Sequence, residues 1–319
     1  MTGILGHDAQ RIELMEAAAG PRMHHGWILS GPKGIGKATL ARAMARSLLA
    51  GESEDIADDH PVARLVAAQS HPDFVDLTRL EKDTGDLARN ITVDQVRGLH
   101  RLLESAPSLS QRRIILIDSA DDLERGGANA LLKNLEEPPK STIFLLVSHS
   151  PSRLLPTIRS RCRMLRFSSL DDAQMRQAIA IKQPNIAAVE LDHLMTMGEG
   201  SPGRALGFVG LGIDQMTAAL DRIALSGDLD NAERLALSKQ LAARSAKLRF
   251  EAFLDAVPAF LARQARHRQR MALGTAIGAW EQARQLASAA IPLSLDPATV
   301  IFELCGLVAV LAEGESATA

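Results

Sequence analysis

Apolar and polar positions follow two regimes along the chain. In the first half, short apolar runs bounded by turn residues alternate with stretches of helical period. The runs "GWILS" (26–30), "DFVDL" (73–77), "RRIILID" (112–118), "TIFLLVSHS" (142–150) and "RMLRF" (163–167) read as strands. In the third of them Ile114 to Ile117 run into Asp118, which places an acid at the C-terminal tip of a buried strand. Between the strands, "TLARAMARSLLA" sets Leu40, Ala41, Met44, Ala45, Leu48 and Leu49 on one helical face. "TVDQVRGLHRLLESA" (92–106) aligns Val93, Val96, Leu99 and Leu103 behind a Thr92 cap, and "GANALLKNLEEPP" (127–139) is a helix closed by Pro138 and Pro139. This alternation predicts an α/β domain with a parallel sheet.

Strand signals stop near residue 168. A helix starts near Asp171, a Gly/Pro break spans 198–208, and the pattern from 213 to 312 is helical, interrupted at Pro258, Pro292 and Pro297. The expected division is an α/β domain over 1–168, a small helical lid over 169–212 and an all-α domain over 213–319, with no tandem repeat.

Composition narrows the function classes. The chain is 46% hydrophobic and 23% charged with a net charge of −2, which argues against disorder and does not demand a nucleic-acid or membrane partner. Aromatics are 3% and tyrosine is absent, so stacking platforms for single strands are scarce. Two cysteines, Cys162 and Cys305, allow neither a disulfide framework nor a four-thiolate metal site. The N-terminal segment lacks a secretory pattern and no run of ~18 apolar residues occurs, so a cytoplasmic protein is expected.

The first chemical motif is "GPKGIGKAT". Gly31, Gly34 and Gly36 suit a loop whose backbone N–H groups wrap a phosphate, and Lys37 would reach the outer phosphates of ATP or ADP at a helix N-terminus. The hydroxyl that holds magnesium in such loops is replaced by Ala38. Thr39 comes next, but one helical step turns its side chain by ~100°. It serves a metal only if the local backbone shifts. Asp118 stands where a metal-directed acid is needed, or else is a strand-end carboxylate held by backbone donors. Ser119 follows it in place of a carboxylate base, and Asp121 and Asp122 read as cap or surface charges. These gaps predict a degenerate loop that binds nucleotide at most and does not hydrolyse it.

Two further clusters remain. "TIRSRC" (157–162) presents Arg159 and Arg161 around Ser160, either as surface ion pairs or as a cation offered to a neighbouring subunit's nucleotide. "RQARHRQR" (263–270) sets Arg263, Arg266 and Arg270 on one helical face, either solvated or in contact with a partner or DNA. The nine histidines show no metal spacing. His24 and His25 read as structural, and His149 sits near the end of the fourth strand.

"NALLKNLEEPP", "FLLVSHSPSRLLPTIRSRCRMLRF", "ILGHDAQ", "HHGWILSGPKGIGKAT" and "SHPDF" resemble the clamp-loader family of AAA+ proteins. That family includes the replication factor C subunits and the bacterial DNA polymerase III gamma/tau and delta-prime subunits. The resemblance covers residues ~3 to 208 with specific motifs and the last third only by helical character. It implies an AAA+ domain, a lid and a collar domain. It also implies that Arg161, inside the Ser160-Arg161-Cys162 triplet, is an arginine finger acting in trans. Ala38, Ser119 and Gly203 (at the lid-arginine place of a Gly-Ser-x-Arg pattern, with Arg204 one position later) depart from the motor subunits. The remaining pattern resembles the non-motor delta-prime type. The partners implied are gamma/tau motors, a delta subunit, a sliding clamp and primed DNA reached through the complex, at the nucleoid. The four cysteines of a zinc insert found in many relatives are absent before "SHPDF", so zinc does not carry over.

Overall fold

The apolar runs pair as a single all-parallel sheet in a computed structural model that describes residues 5–20, 23–83 and 87–316. The first four and last three residues of the N- and C-terminal expectations lie outside the described residues. The chain divides into two compact units. The first comprises residues 1–184 with 200–203, and the second comprises 185–199 with 204–319.

In the first unit the order of elements is α1 (Asp8–Ala19), β1 (Gly26–Ser30), α2 (Lys37–Ala50), α3 (Pro61–Ala67), β2 (Phe74–Thr78), α4 (Val93–Leu103), β3 (Arg113–Asp118), α5 (Arg125–Glu136), β4 (Thr142–Ser148), α6 (Pro156–Arg159), β5 (Arg163–Arg166) and α7 (Asp172–Lys182). The strand order is β2-β3-β4-β1-β5. β1, the strand that feeds the Gly loop, therefore lies between β4 and β5, with Ser30 opposite Ser148 and Trp27 opposite Arg163. Successive residues of a strand face opposite sides of the sheet. Trp27, Leu29, Ile114 and Leu116 thus enter one apolar layer with Leu40, Met44 and Leu48 of α2. Ile28, Ile115 and Ile117 enter the other with Val96 and Leu99 of α4 and Leu131 of α5. This is a three-layer α/β architecture in which a Gly-rich loop joins β1 to α2.

Local signals set several element ends. Thr92 accepts from the Gln95 N–H while Gln95 Oε1 accepts from the Thr92 N–H, a capping box that opens α4. Asp171 and Gln174 repeat the device at α7. Asp73, read as the first residue of a strand, instead lies just before β2 as a fully buried anchor. Its carboxylate accepts from the N–H groups of Ser108, Leu109 and Ser110 at 2.7–2.9 Å and faces the buried Arg113 guanidinium at 3.7 Å. Burial pushes the carboxyl pKa up, but the three N–H donors and Arg113 outweigh it and hold it below the usual value.

The second unit is helical. It contains α8 (Ala188–Gly198), the end of α9 (Pro202–Leu206), α10 (Ile213–Ser226), α11 (Ala232–Leu241), α12 (Lys247–Arg266), α13 (Arg270–Ala290) and α14 (Pro297–Ser316). α14 packs against α10, α11 and α13, and buries Val300, Ile301, Leu304, Val308 and Leu311. Pro297 opens α14 at a position where its missing N–H costs nothing. Pro258 does not end a helix as its residue type predicts. It lies inside α12, where Val257, Phe260 and Leu261 bury the surrounding turns. Arg263, Arg266 and Arg270 do not share one helical face either. α12 stops at Arg266, and a three-residue turn, His267 to Gln269, separates it from Arg270, the first residue of α13.

Candidate functional site

β1 ends at Ser30, and Gly31 turns the chain into the loop. A Cβ on Gly31 would lie 2.4 Å from the Phe167 carbonyl oxygen, so a side chain there forces the backbone apart. Gly34 and Gly36 hold φ of 80° and 102°, a region that glycine enters at little cost. Gly36 leads into α2, whose first residue is Lys37. The Lys37 ammonium is folded back on the loop and donates to the carbonyl oxygens of Gly31 (2.6 Å) and Pro32 (2.5 Å). Burial pushes its pKa down to about 8, against the opposing pull of Asp121 and Asp118.

The loop is braced from two directions. His7, in "ILGHDAQ", donates from Nε2 to the Ile35 carbonyl oxygen at 2.9 Å and stacks edgewise on Phe167. The segment 200–203 covers the other side. The Ser201 hydroxyl donates to the Lys33 carbonyl oxygen and the Gly203 N–H donates to the Gly34 carbonyl oxygen, each at 2.8 Å. A Cβ on Gly203 would sit 2.8 Å from the Gly34 Cα and 2.9 Å from its oxygen. No arginine fits at this place while the segment lies against the loop. Gly203→Arg is therefore expected to destabilise the chain by about 1–3 kcal/mol through overpacking against backbone. A lower urea midpoint for the variant checks this, and an unchanged midpoint contradicts it.

The groups expected to meet a metal are placed otherwise. The Ala38 side chain packs against the core layer of α2 and Thr39 is exposed. The Asp118 carboxylate accepts from Arg42 Nη2 at 2.9 Å, while Arg42 Nε donates to Asp76 at 2.7 Å. Arg42 thus ties the tip of β3 to β2 and neutralises the acid. This donor set does not fit a magnesium-bound nucleotide: one side chain lacks a donor, the next faces solvent and the third already holds a cation. Among the described residues, no group of three or more His, Cys, Asp or Glu side chains is placed to hold a metal ion.

Asp121 corrects the reading of it as a cap or surface charge. Its carboxylate accepts from the Ser148 hydroxyl (3.0 Å) and from the N–H groups of His149 (2.6 Å) and Ser150 (3.2 Å). It fixes the end of β4 beside the loop. The His149 imidazole is half-buried there, and burial, followed by repulsion from Lys37, lowers its pKa.

Arg161 lies at the opposite, N-terminal end of the strands, before β5. Its Nη2 donates to Glu136 at the end of α5 (2.9 Å) and its Nη1 to the Thr157 carbonyl oxygen (3.0 Å). The guanidinium is about one third exposed, with side-chain accessibility of 34%. Arg159 beside it is exposed. Cys162 turns inward, where a Cβ on Gly26 would come within 2.8 Å of its Sγ, and burial pushes its thiol pKa up to about 12. The cysteine of the triplet is a packing residue. The structure thus gathers Gly31, Gly34, Gly36, Lys37, Asp118 and His149 at the C-terminal ends of the strands and leaves Arg161 at the N-terminal end of β5. Arg42, Ser201 and Glu136 join these clusters without a sequence signal, because their partners are distant in the chain or lie on the surface.

Over 196 residues the chain is 36% identical to DNA polymerase III subunit delta' of Pseudomonas aeruginosa, a span of 61% of this chain and 58% of that protein. It is 33% identical over 178 residues to DNA polymerase III subunit gamma/tau of Mycobacterium bovis, a span of 56% of this chain and 30% of that protein. The match thus spans a little over half of the first relative's length and under a third of the second's. In fold it is similar to a DNA polymerase III gamma subunit-related protein of Thermotoga maritima, with a TM-score of 0.51 at 14% identity, covering 95% of this chain and 99% of that one. Residues 6–171, just over half of the chain, carry the sheet, the Gly loop and the Ser-Arg-Cys turn, and they match the family described as DNA polymerase III, delta subunit, to which this chain belongs.

Proposed function

We propose that the chain is a non-motor clamp-loader subunit of the delta-prime type. It assembles with gamma/tau motor subunits and a delta subunit, and the complex places a sliding clamp on primed DNA in the cytoplasm. The observation that carries this reading is the commitment of the chain's own loop. Lys37 is bonded to loop carbonyls and Asp118 to Arg42, while Arg161 stands at the surface. A chain that offers a cation outward and ties Asp118 to Arg42 suits a subunit that completes a neighbour's site. In this reading residues 1–168 act as the AAA+ domain, 169–212 as a lid and 213–319 as an oligomerising collar. ATP or ADP would have to displace Lys37 from the carbonyls of Gly31 and Pro32, and the loop serves as a structural element.

Reconstitution with gamma/tau and delta subunits tests the reading. Clamp- and DNA-stimulated ATP turnover is expected only when this chain is present, and the isolated chain is expected to turn over no ATP. Steady turnover by the isolated chain, abolished in Lys37→Ala, would overturn the non-motor assignment. Failure to co-purify with gamma/tau would overturn the assembly itself.

A further inference from the structure

The basic cluster at the turn between α12 and α13 is not used by that reading. Residues 256–280 contain four arginines, Arg263, Arg266, Arg268 and Arg270, together with His267, and no aspartate or glutamate, in a chain of net charge −2. Helical periodicity would have strung these cations along one face. The break after Arg266 instead gathers them at one end of the packed α12–α13 pair.

Two of the four have visible employment. Arg263 lies over the Phe260 ring at 5.3 Å, and Arg268 donates to the Gln264 carbonyl oxygen and Oε1. Arg266 and Arg270 are exposed, and no ion pair among the described residues engages either one. Arg270 is held at φ 52°, which projects the first residue of α13 away from regular helix geometry. The end of α12 benefits from a positive charge near its carbonyls. That effect accounts for Arg263 and Arg266, but not for Arg270 at the start of the next helix, where a cation opposes the dipole.

We infer that this turn is a contact for the phosphate backbone of nucleic acid. Arginine presents a planar fork that fits phosphate oxygens, and no carboxylate within 256–280 competes for it. The contact reads charge and not bases. Among the described residues, the Phe260 ring is buried against Arg263 and Trp280 lies ten positions beyond Arg270 with Arg284 over it, which leaves the single exposed imidazole of His267 at the turn and no stacking platform of several rings. The inference deepens the clamp-loader reading, since it gives this subunit its own hold on the DNA that the complex engages. It is read on the isolated full chain, whereas the loader reading is read on assembly, so the two can fail separately.

The test is fluorescence anisotropy of a labelled duplex of about 30 base pairs, titrated with the full-length chain between about 25 and 200 mM salt. With three to four phosphates neutralised, the log–log slope of affinity against salt is expected to be about −3. Arg266→Gln combined with Arg270→Asn is expected to weaken binding roughly tenfold or more at low salt and to lower the slope by about 2. Asparagine tolerates the positive φ at 270, and an unchanged circular dichroism spectrum shows that the variant is folded. Lys239→Ala, on α11 and outside the turn, serves as the control and is expected to bind as the parent does. Equal affinity and slope for the double variant and the parent would overturn the inference. So would tighter binding of a polyglutamate peptide than of DNA at matched charge, which would make the turn a protein-docking surface.

Discussion

Arg161→Ala in the reconstituted complex is expected, on the proposed role in trans, to remove most of the turnover at the ATP site that Arg161 would complete. An arginine placed on the charge of phosphoryl transfer is worth about 10³–10⁵ in rate, so that site falls close to silent while the others continue. Arg161→Lys keeps the charge but loses the planar fork and is expected to recover only a small part of the activity. The local structure permits the exchange this role requires. The guanidinium is held by Glu136 at 2.9 Å, but the pair is partly exposed, and such surface pairs contribute about 0–1 kcal/mol. Leaving Glu136 for a phosphate therefore costs little. The measurement is stimulated ATP turnover alongside gel filtration of the complex. Unchanged turnover in an assembled complex would reduce Arg161 to a surface ion pair and leave the non-motor reading resting on the loop alone.

The second large effect concerns folding. Asp73→Ala strands three N–H donors, those of Ser108, Leu109 and Ser110, and leaves the buried Arg113 guanidinium without its carboxylate. Arg113 is itself only 1% exposed and keeps the carbonyl oxygens of Leu102, Ser105 and Ala106 and the Ser105 hydroxyl as acceptors. Removing one member of a buried charged pair costs about 3–5 kcal/mol, so a large fall in urea midpoint is expected. Asp73→Asn, which keeps an acceptor, should lose less. The same residue gives a pH dependence. Its folded pKa lies below its unfolded one, so its contribution is complete above the ordinary carboxylate range near ~3.9. That contribution is lost as pH falls through the folded value. The acid limb of the stability curve should flatten in Asp73→Asn. A loss of unfolding free energy for Asp73→Ala under about 1 kcal/mol would show that the anchor is replaceable.

Much of this was legible along the chain because its causes are local. The five strands follow apolar runs, the Thr92 cap follows its i,i+3 partner Gln95, and the Gly loop follows residue spacing. What was not legible depends on distance in sequence. Arg42 meets Asp76 and Asp118 from 34 and 76 positions away, and nothing near Arg42 marks it. Asp121 looked like a cap because acids favour helix starts, whereas its partners lie on β4. Pro258 was read as a break because its ring removes a helical donor, but burial of the flanking turns overrides that cost. Arg263, Arg266 and Arg270 fit a helical period that the chain abandons after Arg266.

The position of β1 between β4 and β5 has a consequence for how copies of such a domain join. Parallel strands give a sheet two unlike edges. The Gly loop leaves β1 at its far end, while Arg161 enters β5 beside the start of β1, about 16 Å away along five residues. A subunit of this kind has a head and a tail. Units that meet head to tail share no two-fold axis, and they form a directional ring or an open spiral in which each member has a distinct upstream and downstream neighbour.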